Sequence, residues 1–238
     1  MRFEAPGGFA WLGYVDEIVF KHAYTPAHFQ LEEDDIVVDI GAHVGVFTVF
    51  AASWTQNTVY AFEPFPGNFE ILKRNISVNK LCNVVLYRSA VADKVGSAAL
   101  LLSSRANSRH VLSDPMLLDQ LEKYQTNAEH LQFESTMPGE LEESLEVPTT
   151  TLQDIMDRNN IEQIGFLKLN CEGSEGLILT STPKSYLKRL RKIVVEFHDH
   201  LSKINHDDIR KLLEETGFTT HLKWDGESPL GALYAWRD

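Results

Sequence analysis

The chain has 238 residues, 43% of them apolar, and a formal net charge of −12. That length and apolar content suit a single α/β domain with decorations and a sizeable core, since domains run to about 100–200 residues. The acidic balance argues against tracking a nucleic-acid backbone, which needs basic patches, and against an anionic membrane surface. No run of about 18 apolar residues is present, and the N-terminus lacks the basic-then-apolar pattern of a secretory signal, so no membrane insertion is expected. Cys82 and Cys171 are the only cysteines. Both read as small buried hydrophobes rather than a disulfide, which fits a reducing, cytoplasmic compartment.

Residues 1–35 form an arm rich in aromatics: Phe3, Phe9, Trp11, Tyr14 and Phe20. Pro6-Gly7-Gly8 reads as a turn, and 16–24 suits either a strand or a short helix. An aromatic arm ahead of an α/β core packs either over the ligand or against the sheet, which makes Tyr14, His22 and Tyr24 candidate site residues. After the acidic turn Glu32-Glu33-Asp34-Asp35 comes the short apolar run 36–40, a strand buried on both faces. Gly41 and Gly45 break it, and 46–52 restarts as a helix. Glycines let a backbone approach a neighbour closely, and a helix N-terminus offers free N–H groups. A dinucleotide fingerprint needs G-x-G-x-x-G, but these glycines are separated by Ala42-His43-Val44 and no third one follows. The second strand, 59–63, ends on Glu63, 24 residues after Asp39. An acidic side chain there accepts hydrogen bonds from both hydroxyls of a ribose.

Asn68 suits the cap of a helix over 69–79. A third strand covers 83–87, and 96–102 reads as a further edge strand. Residues 103–146 form an acidic insertion, helical over 116–131, that reads as a substrate-side lid. Order returns with a strand at 147–152, and Thr151 caps the helix 152–159. A fourth core strand spans 164–170, the turn Cys171-Glu172-Gly173-Ser174-Glu175-Gly176 follows, and a helix covers 177–180. A basic cluster at 187–191 precedes the fifth strand, 193–198. A helix over 207–216 stops at Gly217, and strands 218–224 and 232–236 make a terminal hairpin.

The turn Asp39-Ile40-Gly41-Ala42-His43-Val44-Gly45 resembles motif I of S-adenosylmethionine-dependent methyltransferases. With Phe62-Glu63-Pro64, Ser89-Ala90-Val91, Thr151-Leu152, Leu167-Lys168-Leu169-Asn170-Cys171-Glu172-Gly173-Ser174-Glu175 and Glu196-Phe197-His198, the chain resembles the FkbM family over roughly 34–200. The resemblance implies a class I methyltransferase-like, doubly wound α/β sheet, mostly parallel with an antiparallel C-terminal strand. It also implies S-adenosyl-L-methionine as cofactor and O-methylation of a hydroxyl on a small molecule, natural product or sugar. The cofactor would meet Asp39, Gly41, Ala42, His43, Gly45, Phe47, Glu63, Pro64 and Asn170, with Ser89 and Ala90 beside the adenine. The family commonly has Asn where this chain has His43, and often Asp where it has Asn170.

Methyl transfer to a hydroxyl also requires a proton acceptor. Candidates at the ends of the fourth and fifth strands are Lys168, Asn170, Glu172, Glu196, His198 and Asp199. His198 titrates in the right range and ranks first as the base. Lys168 would orient Glu172 or Glu196, and Glu172 would fix its loop or the substrate. A metal-free site is favoured over a divalent-metal variant held by Asn170, Asp199 and His200. Rival readings are a nicotinamide-dependent oxidoreductase, opposed by the glycine spacing, and a binding domain that lost its chemistry, hinted at by Asn170.

Overall fold

The computed structural model describes residues 1–4, 10–102, 110–112 and 143–237. The expected turn at Pro6-Gly7-Gly8, the helix at 116–131 and nearly all of the proposed lid lie outside the described residues. The arm forms a short helix, α1 (Ala10–Val15), continued by a π-helical turn at Asp16–Phe20, so this stretch is helical rather than extended.

Strand β1 (Val37–Ile40) is buried at every position, which a Val/Ile run covered on both faces requires. Helix α2 (Val46–Trp54) follows, then β2 (Val59–Phe62), α3 (Pro66–Val78) and β3 (Val84–Tyr87). Strands β4 (Ala90–Val91), β5 (Gly96–Leu102), β6 (Val111–Leu112) and β7 (Glu143–Thr150) come next. Helix α4 (Leu152–Arg158) leads to β8 (Ile164–Leu169), α5 (Glu175–Ser181), α6 (Lys184–Leu187) and β9 (Leu190–His198). Helix α7 (His206–Glu215) and the strands β10 (Thr219–Lys223) and β11 (Leu230–Trp236) complete the order.

Seven strands form the main sheet in the order β10-β11-β9-β8-β1-β2-β3. Only β11 runs antiparallel to its neighbours; the rest are parallel. The winding reverses between β1 and β8, and the crevice beyond the carboxyl ends of strands at such a reversal is where ligands bind in open α/β sheets. One face buries Leu167, Leu169, Val195 and Phe197 against α4, α5 and α7. The other buries Val37, Phe166 and Val194 against Phe47 and Phe50 of α2 and Tyr24 and Phe29 of the arm. Helix α2 is buried from Val46 to Ala52 because the sheet, the arm and α3 all cover that part of it.

Several expectations change. The run 96–102 is not an edge of the main sheet. It is an inner strand of a second, four-stranded sheet ordered β4-β7-β5-β6, and β7 begins at Glu143, inside the proposed insertion. Helix α3 starts at Pro66, a residue whose fixed φ and missing N–H suit the first turn, so Asn68 lies inside the helix and is buried. Thr151 does cap α4, accepting from the Asp154 N–H at 3.0 Å. Cys82 is exposed rather than buried. The basic cluster runs into β9, where Lys192 and Arg191 meet Glu32 of the acidic turn at 2.6 and 2.9 Å. Among the described residues, no helix is long and apolar enough to cross a membrane.

Gly41 has φ +75, and a Cβ there would stand 1.8 Å from the Asn170 carbonyl oxygen. The close approach that demands glycine is therefore between the ends of β1 and β8. Gly41→Ala should destabilise the fold by about 2–4 kcal/mol, the joint cost of a left-handed side chain and an overpacked contact. A urea titration checks this, and an unchanged midpoint would mean that the two strand ends part freely.

Candidate active site

A cavity opens beyond the carboxyl ends of β1, β2, β8 and β9. Gly41, Ala42, His43 and Phe47 border it on the turn and α2, Glu63 and Pro64 on β2, and Ser89 and Ala90 at β4. Lys168, Asn170, Glu172, Glu196 and His198 close the far side. The structure thus brings together thirteen of the sixteen residues singled out as cofactor-binding or as proton acceptors, Asp199 being one of the three outside. Asp39 and Gly45 stand apart. Asp39 is fully buried beneath the turn, and Gly45, at φ +88, exists for packing, because a Cβ there would lie 2.3 Å from Leu72 Cδ1.

Lys168 explains the shape of the turn. Its ammonium lies 3.0 Å from Asp39 Oδ1 and donates to the carbonyls of Gly41 at 2.7 Å and Ile40 at 3.2 Å. With an ion pair to Asp39 and hydrogen bonds to two carbonyls, Lys168 braces the turn instead of orienting Glu172 or Glu196. Asp39 also accepts from the Thr48 hydroxyl at 2.6 Å, which ties β1 to α2.

Glu63 faces the cavity from the end of β2. Its two oxygens accept from the backbone N–H groups of His43 and Phe65, each at 2.9 Å. Burial pushes its pKa up to about 7 against the pull of those hydrogen bonds. His43 takes a left-handed φ of +52, a conformation that Asn and His tolerate better than most residues, so the exchange with the family's Asn keeps the turn. Burial, with the charges of Lys168 and His110, holds its imidazole down to about 4.

His198 sits between acids. Nδ1 is 3.0 Å from Glu175 Oε1, and Nε2 is 3.6 Å from Glu172 Oε2. Burial alone would lower its pKa, but Glu172, Glu175 and Glu196 outweigh that and bring it up to about 10. An imidazolium has no lone pair to offer, so the geometry speaks against His198 as the base. Glu175 is fixed in turn by the N–H groups of Cys171 at 2.8 Å and Gly173 at 3.0 Å. The turn they span carries Glu172 at a left-handed φ of +53, with its carboxylate at the cavity.

From the arm, Tyr14 lines the mouth with its ring 5.4 Å from that of His43. Tyr24 reaches deeper. Its hydroxyl donates to Glu196 Oε2 at 2.6 Å and accepts from Asn170 Nδ2 at 3.0 Å. His22 turns away to Thr25 and Phe50 and leaves the cavity. The metal-ligand set is not assembled either: Asp199 accepts the His206 N–H at 2.9 Å and pairs with its ring, and neither Asp199 nor His200 lines the cavity. The sequence reading gave no site role to Glu175, Asn68 or His110. Only Glu175 left a signal there, as the second acid of the Glu172-to-Glu175 turn.

The model of the methyltransferase FkbM domain matches residues 39–220. The chain belongs to the FkbM methyltransferase family. Tyr14 and Tyr24 fall outside the family segment, and the cavity of this FkbM-family methyltransferase is finished by its own arm. It is 27% identical over 217 residues to the 31-O-demethyl-FK506 methyltransferase FkbM of Streptomyces tacrolimicus, covering 88% of this chain and 82% of the relative. It is 23% identical over 194 residues to the hexuronic acid methyltransferase AglP of Haloferax volcanii, covering 81% and 67%. In solved structures, the methyltransferase FkbM of Methylobacillus flagellatus KT shares the fold with a TM-score of 0.54 at 13% identity. That match covers 98% of this chain but 48% of the other, about half its length.

Two outcomes follow from the buried charges. Lys168→Met strands the Asp39 carboxylate without its cation and should destabilise the chain by about 3–5 kcal/mol in urea unfolding. The folded-state pKa of His198 lies above its usual 6.5, so the stability it adds is full below about pH 6.5 and is lost as the pH climbs through about 10. The stability gap between wild type and His198→Gln should therefore narrow over that window, and a constant gap would show that the ring is neutral in the fold.

Proposed function

We propose that the chain is an S-adenosyl-L-methionine-dependent O-methyltransferase acting on a hydroxyl of a small molecule, natural product or sugar. The observation that carries the reading is Glu63. A buried carboxylate at the end of β2, held only by amides and short of positive charge, suits the two hydroxyls of a ribose. Gly41, Ala42 and His43 would hold the methionine part of the cofactor, and Ser89 and Ala90 would flank its adenine. When bound, the cofactor supplies a methyl group already activated on a sulfonium, so the protein chiefly orients the reactants and excludes water. Asn170, Glu172 and His198 would border the acceptor, with His198 as the charged post that positions Glu172. The O-methyl assignment draws on the printed activity of the Streptomyces relative, and the sugar class on that of the Haloferax one.

Transfer of labelled methyl groups to a panel of hydroxylated acceptors, compared with amine and carboxylate analogues, tests the reaction. Label appearing on amines alone would overturn O-methylation, and binding of S-adenosylhomocysteine without transfer to any acceptor would favour a domain that kept the fold and lost the chemistry. Glu63 gives a second test. His43 is neutral and His198 charged throughout pH 5.5–8. Affinity for S-adenosylhomocysteine should therefore rise with pH up to about 7 and then level off, with a limiting slope of about tenfold per unit below that point. Calorimetry across the range should show this slope in the wild type and not in Glu63→Gln. A wild-type affinity that does not change with pH would remove Glu63 from the ribose site.

A further inference from the structure

We propose that Glu196, fixed by Tyr24 and Asn170, is the group that takes the proton from the acceptor hydroxyl. The inference rests on the methyltransferase reading above and names the residue that the reading leaves open. Each other candidate at the cavity already has a partner that spoils it as a base. His198 lies between Glu172 and Glu175. Lys168 is ion-paired to Asp39 and donates to the carbonyls of Ile40 and Gly41. Glu63 stands at the β2 end, engaged by two amides. Glu172 faces the His198 ring at 3.6 Å, and a cation that close makes a carboxylate a poorer base.

Glu196 differs. Among the described residues, no Lys, Arg or His nitrogen lies within ion-pair distance of it. Its Oε2 is held by the Tyr24 hydroxyl at 2.6 Å, and Asn170 donates to that same hydroxyl oxygen at 3.0 Å. The Asn170 bond settles which way the phenol points, so its proton goes to Glu196. The carboxylate is thereby oriented by a neutral donor that does not quench it, and Oε1 remains for a substrate. Burial beside Glu196 pushes the Tyr24 phenol well above its usual value and keeps it a donor.

Placement agrees. Lys168 pairs with Val194 and Leu169 with Val195, which puts Asn170 and Glu196 on the next row, beside Gly41 at the switch point. Strand alternation gives Lys168, Asn170, Glu196 and His198 the face that carries the arm and α2. In the step itself, the acceptor oxygen forms a bond to the methyl carbon as the carbon–sulfur bond breaks. The electron pair of that bond stays on sulfur, giving a neutral thioether. The hydroxyl proton passes to Glu196 and from there to water after product leaves.

The experiment uses the full chain and the acceptor from the panel that the wild type methylates fastest. Glu196→Gln should lower kcat by about 100-fold or more while leaving the Kd for S-adenosylhomocysteine within about threefold. Glu196→Ala should be equally slow, and added sodium formate should restore part of its turnover without affecting the wild type. Tyr24→Phe keeps the ring in the core and should lower kcat by about tenfold with KM for the cofactor unchanged. Turnover of Glu196→Gln within fivefold of wild type overturns the proposal, as does a parallel loss of S-adenosylhomocysteine affinity, which would move Glu196 into the cofactor's subsite. A wild-type chain that binds no S-adenosylhomocysteine brings down the cofactor assignment and this one with it. Binding in the wild type with undiminished turnover in the variant overturns this one alone.

Discussion

Beneath the first turn, the Lys168 ammonium meets the Asp39 carboxylate and the carbonyls of Ile40 and Gly41. At this point β1 leaves the sheet, and the Gly41 and Ala42 N–H groups both turn to the Phe62 carbonyl. The Ile40 carbonyl already accepts from the Asn170 N–H at 3.2 Å, and the Gly41 carbonyl takes its donor from Lys168, since a buried backbone group left unpaired costs about 1–3 kcal/mol. Lysine suits the position because a long stem from β8 delivers a compact charge with three donors. A buried ion pair gains little net stability after desolvation. What the pair fixes is position: it sets where β1 ends and so where the cavity floor lies.

Left-handed backbone occurs at both turns of the cavity, as well as at His22, Lys80, Asn160 and three glycines away from it. Gly41, His43 and Gly45 in the first turn and Glu172 and Gly173 in the second all take left-handed conformations. For the glycines, each side chain that is missing would have struck protein: the Asn170 carbonyl for Gly41, Leu72 for Gly45, and Leu201 for Gly173. The turns are tight so that neighbouring elements close around the cavity, and the ligand receives a wall already set. His43 and Glu172 bear side chains in spite of the strain, and both present them to the cavity. Strain held at a non-glycine residue is commonest at functional sites, where surrounding contacts over-determine it.

What the sequence discloses and what it hides divide along one line. Contacts local in sequence were legible: the buried run of β1, the Thr151 cap, Glu63 at the end of β2, and the hairpin that supplies the single antiparallel strand. Contacts made across the fold were not. The second sheet pairs Gly96 with Thr149 and Leu100 with Leu145, and no period within 96–102 announces such a partner. His198 looked like a base because its two carboxylate neighbours, Glu172 and Glu175, arrive from the β8–α5 turn. Tyr24 sits 146 residues from Asn170 and 172 from Glu196, in an arm whose pattern decided nothing about its direction. Asn68 was a misreading that local chemistry corrects, since Pro66 two residues earlier is the better helix starter.

Counting charges around the cavity carries the argument one step further. Asp39 is matched by Lys168, and Glu175 by His198. Glu172 shares the His198 cation with Glu175, and Glu196 and, above about pH 7, Glu63 add further negative charge. On the methyl-donor reading, a cavity so charged favours a sulfonium cation over the neutral thioether left after transfer, because each carboxylate attracts the first and not the second. The preference is strongest where water is excluded, and the arm provides that exclusion by laying Tyr24, Ile18 and Tyr14 along the cavity. The same field resists a carboxylate-bearing acceptor and accommodates a neutral or basic one. On the O-methyl transfer proposed above, the proton released by a hydroxyl would reduce the surplus negative charge by stopping at the β9 end, where Glu196 stands.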